Sequence, residues 1–193
     1  FGDAGYDVAD YYRVAPRYGT NEDLKRLFAE AHKREMHVLL DLVPGHTSVE
    51  HEWFRESMKA ERNAYTDRYV WTDSVWEAPE KMGCLRGISQ RDGSCAINFF
   101  TCQPALNYGY YNRTRPWQQS PDDEGPKATL NAMVDVMRFW LGLGCDGFRV
   151  DMAESLVKND GTEKLATMEV WRDIQAAVSS VVDHLTLADL VRR

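Results

Sequence analysis

Between residues 20 and 45 the apolar positions change period. Leu24, Leu27, Phe28 and Ala31 fall at i, i+3, i+4 and i+7, the spacing that lines one face of an α-helix. Thr20, with Asp23 three residues later, forms a capping-box pattern and sets the start of that helix. Val38-Leu39-Leu40-Asp41-Leu42-Val43 is then apolar apart from one carboxylate, the pattern of a parallel strand buried on both faces, and Pro44-Gly45 stops it. After Pro126, Leu130, Met133, Val134, Met137 and Leu141 give a second amphipathic helix, ended by Gly142 and Gly144. Gly147-Phe148-Arg149-Val150-Asp151 reads as a short strand ending in a carboxylate, and a third helix is predicted over 163–182. Alternation of this kind implies an α/β fold with a parallel sheet.

Residues 47–126 break the alternation. The stretch is polar and aromatic, interrupted by Gly and Pro, with one predicted helix around Trp53 to Arg62. Loops longer than roughly 15 residues are uncommon in compact domains unless they carry function. We read the stretch as a subdomain inserted at the C-terminal end of the preceding strand. Its Tyr65, Tyr69, Trp71, Trp76, Tyr108, Tyr110, Tyr111 and Trp117 suit either a small core of its own or platforms for stacking on sugars.

Composition narrows the class of function. The chain has 193 residues and a formal net charge of −7, which argues against nucleic acid and anionic membranes as partners. No apolar run approaches the roughly 18 residues of a membrane span. The first residue is Phe1 rather than Met, and nothing beside it resembles a signal peptide, so we expect the sequence to begin inside a longer reading frame. Cys84, Cys95, Cys102 and Cys145 show no C-x-x-C spacing; we expect buried or half-buried thiols, with a Cys84–Cys95 bridge as the alternative.

The chain has no G-x-G-x-x-G, P-loop, H-E-x-x-H or G-x-S-x-G motif, so nucleotide binding, zinc proteolysis and serine hydrolysis lose their usual warrant. What remains is charge at strand ends. Asp41 and His46 flank the end of one strand; Arg149 and Asp151, two apart on the next, point to the same face. An arginine beside a carboxylate favours its ionised form. An ionised, oriented carboxylate is what a glycosidase nucleophile needs, although the same pair also serves to tie two elements together. His32, His37, His51 and His184 have no motif around them and are expected at the surface.

Four segments in order resemble the α-amylase family of glycoside hydrolases (family 13). Gly5-Tyr6-Asp7-Val8-Ala9-Asp10-Tyr11 with Gly19-Thr20-Asn21-Glu22-Asp23-Leu24 resembles the stretch after the second barrel strand. Asp41-Leu42-Val43-Pro44-Gly45-His46 resembles D-x-V-x-N-H, Gln103-Pro104-Ala105-Leu106-Asn107 resembles Q-P-D-L-N, and Gly147-Phe148-Arg149-Val150-Asp151 resembles the nucleophile signature G-x-R-x-D. Gln103 and the run His46-Thr47-Ser48-Val49-Glu50-His51-Glu52-Trp53-Phe54 lean toward the oligo-1,6-glucosidase and α-glucosidase branch.

The resemblance implies a partial (β/α)8 barrel over 1–46 and 127–193, with 47–126 inserted after the third strand and the site at the C-terminal strand ends. It implies a retaining mechanism on α-glucosidic bonds, with α-glucosides or malto- and isomalto-oligosaccharides as substrates. Asp151 takes the nucleophile's place and Arg149 that of the arginine holding it. His46 would hydrogen-bond the sugar that Tyr6 stacks on, Asp7 would hold the non-reducing glucose, and Asp41 would support the site from beneath. Transglycosylase, isomerase, phosphorylase and non-catalytic sugar-binding relatives are the alternatives.

Three departures stand against the pattern. Gly45 replaces the signature's Asn and Ala105 replaces the Asp of Q-P-D-L-N, so two oxygen donors of a calcium site in many relatives are missing together, and no cofactor is expected. Met152 follows the nucleophile's position and does not settle α-1,4 against α-1,6 specificity. The general acid, a Glu on the fifth strand in the family, is expected outside these 193 residues; the alternative is Asp189, one methylene shorter, in a strand-like tail over 184–190.

Overall fold

The Thr20 hydroxyl accepts the Asp23 N–H while the Asp23 carboxylate accepts the Thr20 N–H, and this reciprocal cap opens α1 (Asn21–His32). The structure, a computed structural model, describes residues 2–182. Helix α1 buries Phe28 and Ala31, whereas Leu27 is 55% exposed, because it lies on the flank of that face, about 100° round the helix from Phe28. Strand β1 (Leu39–Leu42) follows. After it come α2 (Glu52–Ser57), the antiparallel strands β2 (Gly83–Leu85) and β3 (Cys95–Ile97), α3 (Glu124–Leu143), β4 (Gly147–Val150) and α4 (Leu165–Val182).

Strands β1 and β4 pair in parallel, with Leu39 opposite Gly147, Leu40 opposite Phe148, Asp41 opposite Arg149 and Leu42 opposite Val150. The expected α/β alternation with parallel pairing is therefore present, but burial on both faces is not. Leu40, Leu42, Phe148 and Val150 turn into the core, while Leu39, on the other face, is 59% exposed and shares that face with Asp41 and Arg149. The helices cover one side of the pair, and the open side carries the charge.

Three boundaries differ from the periodicity. The helix predicted to reach Arg62 stops at Ser57, because the Asn63 amide takes the Glu56 carbonyl and the Gln90 N–H takes that of Met58. Gly142 lies inside α3, and Gly144, at φ 118°, is the left-handed residue that ends it. Helix α4 starts two residues later than predicted, at Leu165, where the buried Asp160 carboxylate accepts the N–H groups of Ala166 and Thr167.

One buried cluster runs from Phe28 of α1 through Leu42, Trp53 and Phe54 to Tyr69, Trp71, Leu106 and Tyr108, and on to α3 and α4 through Met133, Met137, Val170 and Ile174. A smaller cluster of Val70, Ala96, Ala105 and Tyr110 lies within residues 47–126. Of the aromatic residues in that stretch, Tyr69, Trp71, Tyr108 and Tyr110 are core, while Trp76 and Tyr111 are exposed. The four cysteines are free thiols, Cys95 and Cys145 buried and Cys84 and Cys102 half-buried. His32 and His37 both contact the Asp146 carboxylate. His51 corrects the surface expectation: it is 5% exposed, packed against the rings of Tyr11 and Trp53, and its Nδ1 accepts the Trp53 N–H at the start of α2. His184 and the 184–190 tail lie outside the described residues.

Candidate active site

The parallel register sets the site. Asp41 and Arg149 are direct partners across the pair, and Asp151 follows β4 with its N–H on the Leu42 carbonyl at 2.8 Å, so the ladder continues one step beyond the strand. Arg149 Nη1 donates to Asp151 Oδ1 at 2.8 Å and to Asp41 Oδ1 at 3.3 Å. Partial desolvation works against the guanidinium charge, but the Asp151 hydrogen bond and the Asp41 charge outweigh it and raise Arg149 above its ordinary value.

Tyr6 closes this group from the N-terminal loop. Its hydroxyl donates to Asp41 Oδ2 at 3.3 Å and lies 3.5 Å from Arg149 Nη1; its ring centroid is 6.0 Å from the guanidinium carbon. Four of the six residues singled out from the sequence thus form one contact group: Tyr6, Asp41, Arg149 and Asp151.

His46 reaches the group through a backbone. It is 2% exposed; its Nε2 lies 2.9 Å from the Tyr6 carbonyl, and its Nδ1 lies 3.1 Å from the amide nitrogen of Asn98. A carbonyl only accepts and an amide N–H only donates, so the proton is on Nε2. Burial pulls the imidazole below its ordinary value, against the Tyr6 carbonyl and the charges of Asp151 and Asp3. Asp7 is turned elsewhere: its carboxylate accepts the N–H groups of Gly2 at 2.7 Å and Asp3 at 3.1 Å. Burial would raise Asp7, but these backbone bonds prevail and hold it below the usual carboxylate range.

Three contributors were not singled out as site residues. Asn98 touches His46. Gln103, fully buried, donates its amide to Asp3 Oδ2 at 2.7 Å and so ties the 47–126 segment to the N-terminal loop. Gln103 had a signal in the Q-P-x-L-N resemblance; Asn98 and Asp3 had none. Beside the strand end, Met152 has φ 49°, in the left-handed region, and lines a cleft of about 300 Å³ with Asn98, Phe99, Ser155 and Lys158. Among the described residues no cluster of three or more His, Cys, Asp or Glu side chains is placed to hold a metal ion, and no helix is long and apolar enough to cross a membrane.

The fold and the site define a class: an α/β chain with two carboxylates bridged by one arginine at the C-terminal ends of adjacent parallel strands. The chain belongs to the alpha-amylase catalytic-domain family, whose model matches residues 2–192, and its α/β core is part of a (β/α)8 barrel. It is 37% identical over 160 residues to a trehalose synthase/amylase, TreS, of Mycolicibacterium smegmatis, covering 83% of this chain and 26% of that protein. It is 34% identical over 161 residues to an oligo-1,6-glucosidase of Bacillus sp. strain F5, covering 81% and 29%. The crystal structure of Bacillus licheniformis trehalose-6-phosphate hydrolase superposes with a TM-score of 0.71 at 28% identity, over 92% of this chain and 33% of that one. The chain therefore spans about a quarter to a third of the length of these relatives.

Proposed function

We propose that these residues carry the nucleophile half of a retaining α-glucosidase acting on α-glucosides or short malto- and isomalto-oligosaccharides. The observation that supports it best is the single Arg149 nitrogen shared by Asp151 and Asp41 on the open face of the strand pair. An Asp151 oxygen attacks the anomeric carbon, the bond to the leaving oxygen breaks, and a glycosyl ester forms that water later cleaves. A second carboxylate has to protonate the leaving oxygen from the other side of that bond. Asp41 is held by the same guanidinium nitrogen as Asp151, hence on the nucleophile's side, and so supports rather than protonates. Tyr6 offers its ring to the sugar. His46 joins the substrate only by exchanging the Tyr6 carbonyl or the Asn98 amide, whereas each Asp7 oxygen, holding one backbone N–H, keeps a lone pair for a sugar hydroxyl.

In this reading 1–46 and 127–193 belong to the barrel and 47–126 is the insertion, clamped to the N-terminal loop by Gln103 and Asp3. Calcium does not fit between barrel and insertion at residues 45 and 105. Gly45 and Ala105 bring no side-chain oxygen, and the amide that fills the space at Gly45 points a donor there.

A 5-fluoro glucosyl donor should trap the intermediate in the complete enzyme, with peptide mass spectrometry placing the label on Asp151. A label on Asp41 or Asp7 would overturn the assignment. The similarity to TreS, a synthase as well as an amylase, favours glucosyl transfer as the second reading. Both routes share the labelled ester, and the products formed with added glucose as acceptor separate them.

A further inference from the structure

We infer that Asn98 is a positioning residue of this site: it occupies the room left by Gly45 and sets the tautomer of His46. A Cβ built on Gly45 would lie 2.9 Å from Asn98 Nδ2, closer than real Cβ contacts come. The position where the resemblance puts Asn is thus empty of side chain, and an amide from 53 residues later in the chain fills it. Both hydrogens of that amide are committed. One goes to the Gly45 carbonyl at 3.0 Å, the other to His46 Nδ1 at 3.1 Å. The backbone of Asn98 is fixed in turn, its N–H on the Gln103 carbonyl at 3.1 Å just after β3.

The consequence passes through His46. With Nδ1 accepting from Asn98, Nε2 keeps the proton and donates it to the Tyr6 carbonyl. The Tyr6 N–H is held by the Asp3 carbonyl at 2.8 Å, and the Tyr6 hydroxyl reaches Asp41 and Arg149. Asn98 therefore links the 47–126 segment, by three consecutive polar contacts, to the arginine that holds Asp151. A rotated imidazole, or one carrying its proton on Nδ1 alone, would release the Tyr6 loop. That this linkage serves sugar binding rests on the glucosidase reading; the tautomer and the packing do not.

The test uses the full chain with 15N-labelled histidine. Two-bond proton–nitrogen spectra should show His46 as the Nε2–H tautomer. In Asn98→Ala the two ring-nitrogen shifts should move toward each other, with a loss of roughly 2–6 °C in melting temperature, because His46 Nδ1 loses its donor while the Gly45 carbonyl keeps only the Leu106 N–H. Asn98→Asp, nearly isosteric, should protonate Nδ1 and raise the pH at which His46 titrates, against the fixed background of Asp3, Asp151 and Lys158 around the ring. Gly45→Asn alone should destabilise by crowding the amide, and Gly45→Asn/Asn98→Gly should recover at least half of the summed loss of its two single variants. Unchanged His46 shifts in Asn98→Ala, or additive losses in the cycle, would overturn the inference. Failure of the fluoroglucoside to label Asp151 would sink the glucosidase reading and leave the His46 result standing.

Discussion

His51 should make the fold sensitive to mild acid. The imidazole is 5% exposed, against Tyr11 and Trp53 with ring centroids at 5.3 Å and 4.7 Å. Its Nδ1 accepts the Trp53 N–H at 3.1 Å and caps α2, so a proton can reach Nδ1 only by breaking the cap. Nε2 is buried with no hydrogen-bond partner. Burial, aided by the Arg68 charge and opposed by Asp10, lowers the group from 6.5 to about 4. Between those two values the unfolded chain binds the proton and the folded one does not. Stability is therefore complete above 6.5 and falls as the pH drops toward 4. By pH 4.5 the loss from this one group comes to about 2.5 kcal/mol.

The assay is urea unfolding at pH 7 and at pH 4.5 for the parent and for His51→Asn. The amide oxygen of Asn can take the Trp53 N–H without titrating, so the variant keeps the cap and removes the proton. His46, also lowered by burial, titrates in the same direction in both proteins and cancels in the comparison. The parent should lose about 2–3 kcal/mol more than the variant between the two pH values. Equal losses would show that His51 is not held neutral by its surroundings.

Three further outcomes follow from other contacts. The Tyr11 hydroxyl lies 2.6 Å from the Val43 carbonyl and 2.9 Å from that of His46, so Tyr11→Phe should cost about 1–3 kcal/mol in denaturant unfolding, whereas Tyr12→Phe, at a half-exposed ring, should stay within roughly 0.5 kcal/mol. Gly109 has φ 88°, and a Cβ there would meet Pro121 N at 2.5 Å; Gly109→Ala should lower the melting temperature by more than Gly142→Ala, which meets open space. Chelation should leave the melting temperature of the complete enzyme unchanged, and a rise of several degrees on adding calcium would contradict the reading of Gly45 and Ala105.

What the sequence showed depended on how far apart the interacting residues lie. The Thr20–Asp23 cap and the Arg149–Asp151 pair involve neighbours two or three positions apart, and both were legible. The Asn98–His46 contact spans 52 positions and left no periodic trace. His51 was expected at the surface because no motif marks it; its burial comes from Trp53, two residues on, and from Tyr11, which approaches from another segment. Asp7 was assigned from resemblance to sugar binding, yet its oxygens are held by amides four and five residues earlier. Those backbone bonds are local contacts that a family pattern does not record.

The open face of the strand pair also explains why one unexpected feature and the candidate chemistry coincide. A run such as Val38–Val43 reads as buried on both sides because its five apolar residues fall on both faces and give no clue to which one is covered. The helices cover the face of Leu40 and Leu42, and Asp41 falls on the other by simple alternation. The register with β4 then decides everything further. Asp41 opposite Arg149, and Asp151 two residues on, put two carboxylates on one face within reach of one guanidinium nitrogen. A slip of one residue would send Arg149 and Asp151 into the apolar core and Phe148 and Val150 out to the open face. The burial of Phe148 and Val150 against α-helical side chains therefore enforces the position of Asp151, and a core substitution such as Phe148→Asp should disturb the Asp41–Arg149–Asp151 contacts without touching any of those residues.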